Sequence, residues 1–351
     1  MEKEALFGRD IGNGRIECRA CARLCKIPEG SHGFCYVRQN KKGKLRLVNY
    51  GVVSALQIDP IEKKPFNHFM PGSYVLGIGT SSCNWGCQFC QNHFISKDKD
   101  MEGKYISPDK IVETALGSGV EGIAFTYNEP TIFIEYALDV ARAAHEKGLF
   151  NVFVTNGYMT KDVVKKMSGL IDAAVVNLKG NAAQKFSNKF EMIQSSDPIK
   201  EALVELRKRK IHIEITDLIV PRVGEDLTAC DEITEWISGA LGRDTPLHFT
   251  RFHPDYKMLD YPSTKYETLK RHYDIAKKNG LSYVYIGNVP GSRFENTYCP
   301  ECGRVAVERE DLYLKGWHIG ATGRCACGNK IPFLGKIPAS IGGRREITSI
   351  Y

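Results

Sequence analysis

Cys83, Cys87 and Cys90 fall in the run Cys83-Asn84-Trp85-Gly86-Cys87-Gln88-Phe89-Cys90, with no fourth cysteine close by. A cubane iron–sulfur cluster has four irons, and full protein ligation takes four thiolates. Three thiolates leave one iron open to chelate a small molecule. The competing readings are a partial zinc site or three reduced core thiols. Zinc takes four ligands, in pairs two to four residues apart, so the triplet fits it badly. Two further groups flank the triplet: Cys18, Cys21, Cys25 and Cys35, and Cys299, Cys302, Cys325 and Cys327. The C-terminal four look like two zinc-ribbon knuckles, Cys299-Pro300-Glu301-Cys302-Gly303 and Cys325-Ala326-Cys327-Gly328. Four thiolates make a closed structural zinc the default there, with rubredoxin-like iron as the lesser reading. The second pair departs from the usual ribbon by one residue. For the N-terminal four, zinc and an auxiliary 4Fe-4S cluster are equally consistent with the spacing. Cys230 stands alone in a predicted helix and reads as a small core residue.

The elements that must position these groups begin at Tyr74. Residues 1–70 read as an irregular, cysteine-bearing segment. Residues 71–290 alternate strand and helix, and 291–351 form a zinc-ribbon-like segment. Strands are expected over 74–80, 120–127, 151–155, 173–178, 211–220, 247–252 and 283–286. Ser107-Pro108-Asp109 is a helix start, with Ser as cap and Pro in the first turn. Further helices are expected over 131–147, from Asp197-Pro198, over 225–241 and over 263–278. Such repeated units make an α/β fold with a parallel sheet. Six or seven units suit a partial (β/α) barrel, and an open doubly wound sheet is the competitor. The barrel is favoured because it gathers its chemistry at the C-terminal ends of its strands. The cysteine loop, Thr126-Tyr127-Asn128-Glu129-Pro130, Thr155-Asn156-Gly157 and Asn177-Leu178-Lys179 all fall at such ends. In His212-Ile213-Glu214-Ile215-Thr216 the even residues are polar, so they should point into the barrel. A buried Glu214 is costly unless paired or used. His248, Thr250, Arg251, His253 and Asn288 follow on later strands as weaker candidates for substrate contact.

Composition bounds the class. The 351 residues are 42% apolar, enough for a large core, and the formal net charge is +7. That mild excess permits an anionic partner, including nucleic acid, without indicating one. Eleven of the twelve cysteines are clustered, which in a long chain reads as metal binding rather than a disulfide scaffold. No apolar leader and no stretch near the roughly 20 residues of a membrane helix is visible. A cytoplasmic protein without membrane contact is expected.

The C-x3-C-x-aromatic-C pattern resembles the signature of the radical S-adenosylmethionine superfamily. That resemblance implies the 4Fe-4S cluster and S-adenosylmethionine as cofactors, and an oxidoreductase or activase-like enzyme. It places Phe89 against adenine and Glu129-Pro130 at the turn that holds the methionyl amino group. Tyr127-Asn128 stands where the superfamily usually has Gly-Gly, so Asn128 would supply a side-chain contact instead of bare backbone. Read from their places on the strands, Asn156 is a further cofactor contact, Glu214 is a partner of the cofactor ribose or part of an internal structural network, and Lys179 is a catalytic residue meeting a carboxylate or a solvated rim charge. The order of parts extends the likeness. Val37-Arg38, Asn49-Tyr50-Gly51 and Asp59-Pro60-Ile61-Glu62-Lys63-Lys64-Pro65-Phe66 precede the triplet, and Cys-Pro-x-Cys-Gly follows it. Together they resemble the radical enzyme of the AmmeMemoRadiSam system, related to the pyruvate formate-lyase activating enzymes. The likeness implies Memo-family and AMMECR-family partners and an external ferredoxin or flavodoxin. The acidic positions of activating enzymes are Val154 and Asn177 here, against a glycyl-radical substrate. A tRNA-modifying radical enzyme is the second enzyme reading. A zinc-stabilised RNA-binding module is the reading of another class, opposed by the triplet and by sparse aromatics for base stacking.

Overall fold

The computed structural model describes residues 2–320, 322–336 and 348–349. Its centre is a sheet that begins with an antiparallel pair, Ala55–Pro60 (β1) and Tyr74–Gly79 (β2). From β2 onward the strands run Gly122–Phe125 (β3), Phe150–Thr155 (β4), Ala173–Lys179 (β5), His212–Ile219 (β6), Leu247–Arg251 (β7) and Val284–Gly287 (β8). Each pairs in parallel with the one before it in the chain. Spatial order therefore equals chain order, and there is no point at which it reverses. A doubly wound sheet needs such a reversal, so the sheet is a partial (β/α) barrel. It stays open: β8 ends one side, and β1, extended by Thr348–Ser349, ends the other.

Local sequence explains the helices that follow the strands. Ser107 accepts the Lys110 amide and Pro108 opens Pro108–Gly117 (α1), as expected of a cap followed by a residue with no N–H to lose. Ile134–Glu146 (α2) follows a 3-10 turn begun by Pro130. Lys161–Met167 (α3), capped by Thr160, is a short helix with too few turns to show a period in the sequence. Asp197–Lys208 (α4), Leu227–Trp236 (α5) and Tyr266–Lys278 (α6) complete the outer ring. The outer core joins strand residues such as Phe125, Phe153, Ile215 and Phe249 to helix residues such as Tyr136, Leu203, Leu206 and Leu269.

The N-terminal boundary moves. The segment 1–70 is not irregular. Gly8–Asp10, Arg15–Cys18 and Lys26–Pro28 form one small antiparallel sheet, and Lys3–Glu4, Lys44–Leu47 and Arg38–Lys41 another. Strands of two to four residues carry too little alternation to be read. Moreover, β1 belongs to the barrel sheet, and the chain after it turns inward. There Ile61, Phe66 and Phe69 pack on Val75, Ala124, Val152 and Val175 to fill the barrel floor. At the other edge, Thr297–Tyr298, Val305–Glu310 (β9) and Tyr313–Trp317 (β10) form a three-stranded sheet. It packs on β8 through Tyr283, Tyr285, Cys299, Ala306 and Ile331. Part of the segment expected over 291–351 lies outside the described residues.

Candidate active site

The cysteine loop leaves the end of β2 and is pinned from several sides. Asn128, after β3, accepts the Thr80 amide at 3.1 Å and donates to the Ser82 carbonyl at 2.9 Å. Gly86 and Gln88 donate their amides to the carbonyls of Glu191 and Phe190, both at 2.9 Å. Lys97 donates to the Trp85 carbonyl at 2.8 Å. The backbone bonds of an otherwise irregular loop are thus satisfied by neighbours, and the loop is held for its cysteines. Cys83, Cys87 and Cys90 all line one cavity of about 560 Å³ at the strand ends. That volume is in the range of small-molecule sites. Burial pushes the Cys83 thiol up to about 11 and raises that of Cys87 well above its ordinary value. Thiolates there need a cation to form, and three thiols with no fourth cysteine in the lining fit a cluster with one open iron.

Several expected contacts share this cavity. Phe89, Asn128, Glu129, Asn156, Asn177 and Lys179 line it. Their hydrogen bonds refine the roles. Glu129 is bonded within the protein: it accepts the Thr131 amide at 3.0 Å, the Thr155 hydroxyl at 2.7 Å and the Asn156 amide at 2.7 Å. It ties the end of β3 to the end of β4. Asn156 in turn donates to the Asn84 side chain at 2.8 Å, linking β4 to the cysteine loop. Phe89 lies 5.6 Å from the Phe186 ring, centroid to centroid. The Lys179 ammonium lies 5.5 Å from the Trp85 ring.

Glu214 is where sequence and structure part. It faces inward from β6 as the alternation implied, but it does not reach the cavity. One carboxylate oxygen accepts the His68 amide at 2.8 Å and lies 3.2 Å from His212 Nε2. The other accepts the Asn67 amide at 2.9 Å and lies 2.9 Å from His248 Nε2. All four partners belong to the protein, two from the barrel strands and two from the chain that fills the barrel floor. Burial would push this carboxyl up, yet the bonds from His212 and His248 outweigh it and hold it well below the usual range. His68 is pushed down to about 3 by burial, and its Nε2 lies 2.6 Å from the Tyr285 hydroxyl. Of the two readings of Glu214, the bonds fit the internal structural network and not the ribose contact, whereas His248, bonded to it, also lines the cavity. Among the weaker candidates, Thr250 and Asn288 line the cavity, whereas His253 is exposed and Arg251 bonds the Thr264 carbonyl.

A second polar group had no assigned role in the sequence. The Tyr127 hydroxyl donates to Asp59 at 3.0 Å, and Asp59 is paired with Lys63 at 2.6 Å and Lys64 at 2.7 Å. The Lys64 ammonium lies 4.4 Å from the Tyr127 ring. Burial would raise the Asp59 carboxyl, but the two lysines bring it below its ordinary value. Gly77 and Gly79 make room for this arrangement: a Cβ on Gly77 would stand 2.7 Å from the Tyr127 hydroxyl. Lys63, Lys64 and Tyr127 line the cavity, as Lys179 does. The signal was the Asp59–Phe66 run together with two glycines in one strand.

The outer cysteines differ from each other. Cys299 and Cys327 sulfurs are 3.6 Å apart, those of Cys302 and Cys325 are 3.5 Å apart, and all four lie within 4.8 Å of one another. A tetrahedron with zinc–sulfur bonds of 2.3 Å has edges of about 3.8 Å, so this group can hold one metal ion despite its irregular second knuckle. Cys18, Cys21, Cys25 and Cys35 instead surround a void beside the cysteine loop.

Comparison with known proteins agrees with this geometry. Residues 78–237 match the family model of the radical SAM superfamily. An uncharacterized protein of Methanocaldococcus jannaschii is 42% identical over 333 residues, covering 94% of this chain and 98% of that protein. The chain belongs to the radical SAM superfamily. Solved structures of similar fold include a domain of pyruvate-formate lyase-activating enzyme from Bacteroides vulgatus, at 15% identity and TM-score 0.42, covering 48% of this chain and 99% of that one. A radical SAM methyltransferase from Sphaerobacter thermophilus is similar at 13% identity and TM-score 0.49, covering 62% and 67% of the two chains. Superfamily members are enzymes, and the radical SAM fold implies a 4Fe-4S cluster and S-adenosylmethionine. Among the described residues, no helix is long and apolar enough to cross a membrane.

Proposed function

We propose that this protein is a radical enzyme whose cofactor site is the cavity carrying Cys83, Cys87 and Cys90. The observation that carries the reading is that these three thiols line one cavity and no fourth cysteine lines it with them. When bound, the cluster and S-adenosylmethionine supply reductive cleavage to methionine and a 5′-deoxyadenosyl radical, which abstracts hydrogen from substrate. The chain's own part is placement. Asn128 and the Glu191 and Phe190 carbonyls fix the loop that presents the thiols. Glu129 and Asn156 lock the ends of β3 and β4 against it, leaving Phe89 to flank the adenine. Lys179 brings positive charge to the cavity, where a carboxylate of cofactor or substrate would be held. Such fixed charge costs no reorganisation during reaction.

The Val154 and Asn177 positions speak against a glycyl-radical substrate, because the acidic residues of activating enzymes are missing there. A role beside Memo-family and AMMECR-family proteins, with a ferredoxin or flavodoxin as donor, is part of this proposal. An RNA-binding module is disfavoured, since a passive scaffold has no use for three thiols set in a cavity. The test is Cys87→Ala. With dithionite and S-adenosylmethionine, the anaerobically reconstituted wild-type protein should form 5′-deoxyadenosine and the variant none. Equal formation by both would end the proposal.

A further inference from the structure

The two outer cysteine groups are alike in sequence and unlike in space. The C-terminal four close to 3.5 and 3.6 Å between paired sulfurs. The N-terminal four, Cys18, Cys21, Cys25 and Cys35, line a void instead, and no three of their sulfurs lie within the 4.8 Å that gathers the C-terminal four. Sulfurs drawn to a single zinc at 2.3 Å stand about 3.8 Å from one another. A cubane keeps its thiolates farther apart, because irons and sulfides stand between them. From this contrast within one molecule, we infer that the N-terminal four hold a second 4Fe-4S cluster rather than zinc.

Charge and position agree with the inference. The charged side chains lining the void are Arg23 and Arg38, both cationic. Arg38 is buried and fixed by Glu135 at 2.7 Å and the Ile132 carbonyl at 3.1 Å. Four thiolates around a metal carry net negative charge, which these cations offset, so they argue for a metal site over four neutral thiols. The fold also prepares the site. Cys18 ends the strand Arg15–Cys18, Cys21 pairs with Met159 beyond β4, and Cys35 packs beside Val37. Asn84, the neighbour of Cys83, lines this void as well. The second cluster would thus sit directly behind the loop of the first. This inference stands apart from the proposed function, which needs the central triplet alone.

The test removes the central triplet and leaves the N-terminal site untouched, so it does not depend on a damaged N-terminal fold. The Cys83→Ala/Cys87→Ala/Cys90→Ala variant of the full chain is reconstituted with iron and sulfide, and its metals are counted. The expected result is about one zinc and four irons per chain, with a reduced cubane resonance that S-adenosylmethionine does not change. Two zincs with no iron would overturn the inference, and so would one zinc with no second metal. Neither of those results bears on cofactor cleavage by the wild-type protein, which is read separately through 5′-deoxyadenosine.

Discussion

Replacing Glu214 with Gln separates an anchor from a cofactor contact. The carboxylate takes the Asn67 and His68 amides, one on each oxygen, and faces His212 and His248 as well. Gln has the same volume but only one acceptor oxygen, so no cavity is made. Whichever way the amide is turned, one buried backbone N–H loses its acceptor, at a cost of about 1–3 kcal/mol. The bonds that remain also lose their charge assistance, which roughly halves their strength. A total near 3 kcal/mol follows, or a fall in melting temperature of about 4 °C for a chain of this size. Thermal unfolding followed by circular dichroism measures it, and calorimetry well below the transition measures S-adenosylmethionine binding. The structure requires a large loss of stability with binding nearly unchanged. Wild-type stability with weakened cofactor binding would refute the anchor and restore the ribose contact.

Gly77→Ala places a methyl 2.7 Å from the Tyr127 hydroxyl. An overpacked site of this kind costs about 1–3 kcal/mol, and the displaced Tyr127 should weaken cofactor binding measured by calorimetry, while Gly117→Ala, which meets nothing within 4 Å, should not. Asp217 is pushed up to about 7 by burial, against the Asn181 amide and Lys179, and its second oxygen has no partner. A folded-state value above the unfolded one means stability is complete below about pH 4 and is lost as pH rises through 7. Asp217→Asn removes that loss, so its denaturant midpoint should exceed wild type more at pH 8 than at pH 5.5; a difference independent of pH would show that the carboxyl is not so perturbed.

The parts legible in the sequence were those with a period or a spacing. The alternation from His212 to Thr216 gave the inward face of β6 correctly. It could not give depth along the barrel or the partner, because Asn67 and His68 arrive from a segment 147 and 146 residues away. Ser107-Pro108 and Asp197-Pro198 marked helix starts that the structure keeps. The short N-terminal strands were invisible, since they are held by tertiary contacts such as Arg38 to Glu135 rather than by pattern. Tyr127-Asn128 looked like a departure from a glycine turn. In the folded chain the departure is matched by Gly77 and Gly79 on the neighbouring strand, a compensation between residues that no local reading connects. The Cys325-Ala326-Cys327 pair seemed too short for a regular ribbon, yet the backbone between the knuckles adjusts and the four sulfurs still converge.

The central claim is an iron left open by Cys83, Cys87 and Cys90. Low-temperature electron paramagnetic resonance of the anaerobically reconstituted, dithionite-reduced protein tests it most directly. On adding S-adenosylmethionine, a component of the cubane signal should change its g-values, and that component should be absent from Cys87→Ala. A cubane signal with no component that responds to S-adenosylmethionine, or no cubane signal in protein fully loaded with zinc, would contradict the account.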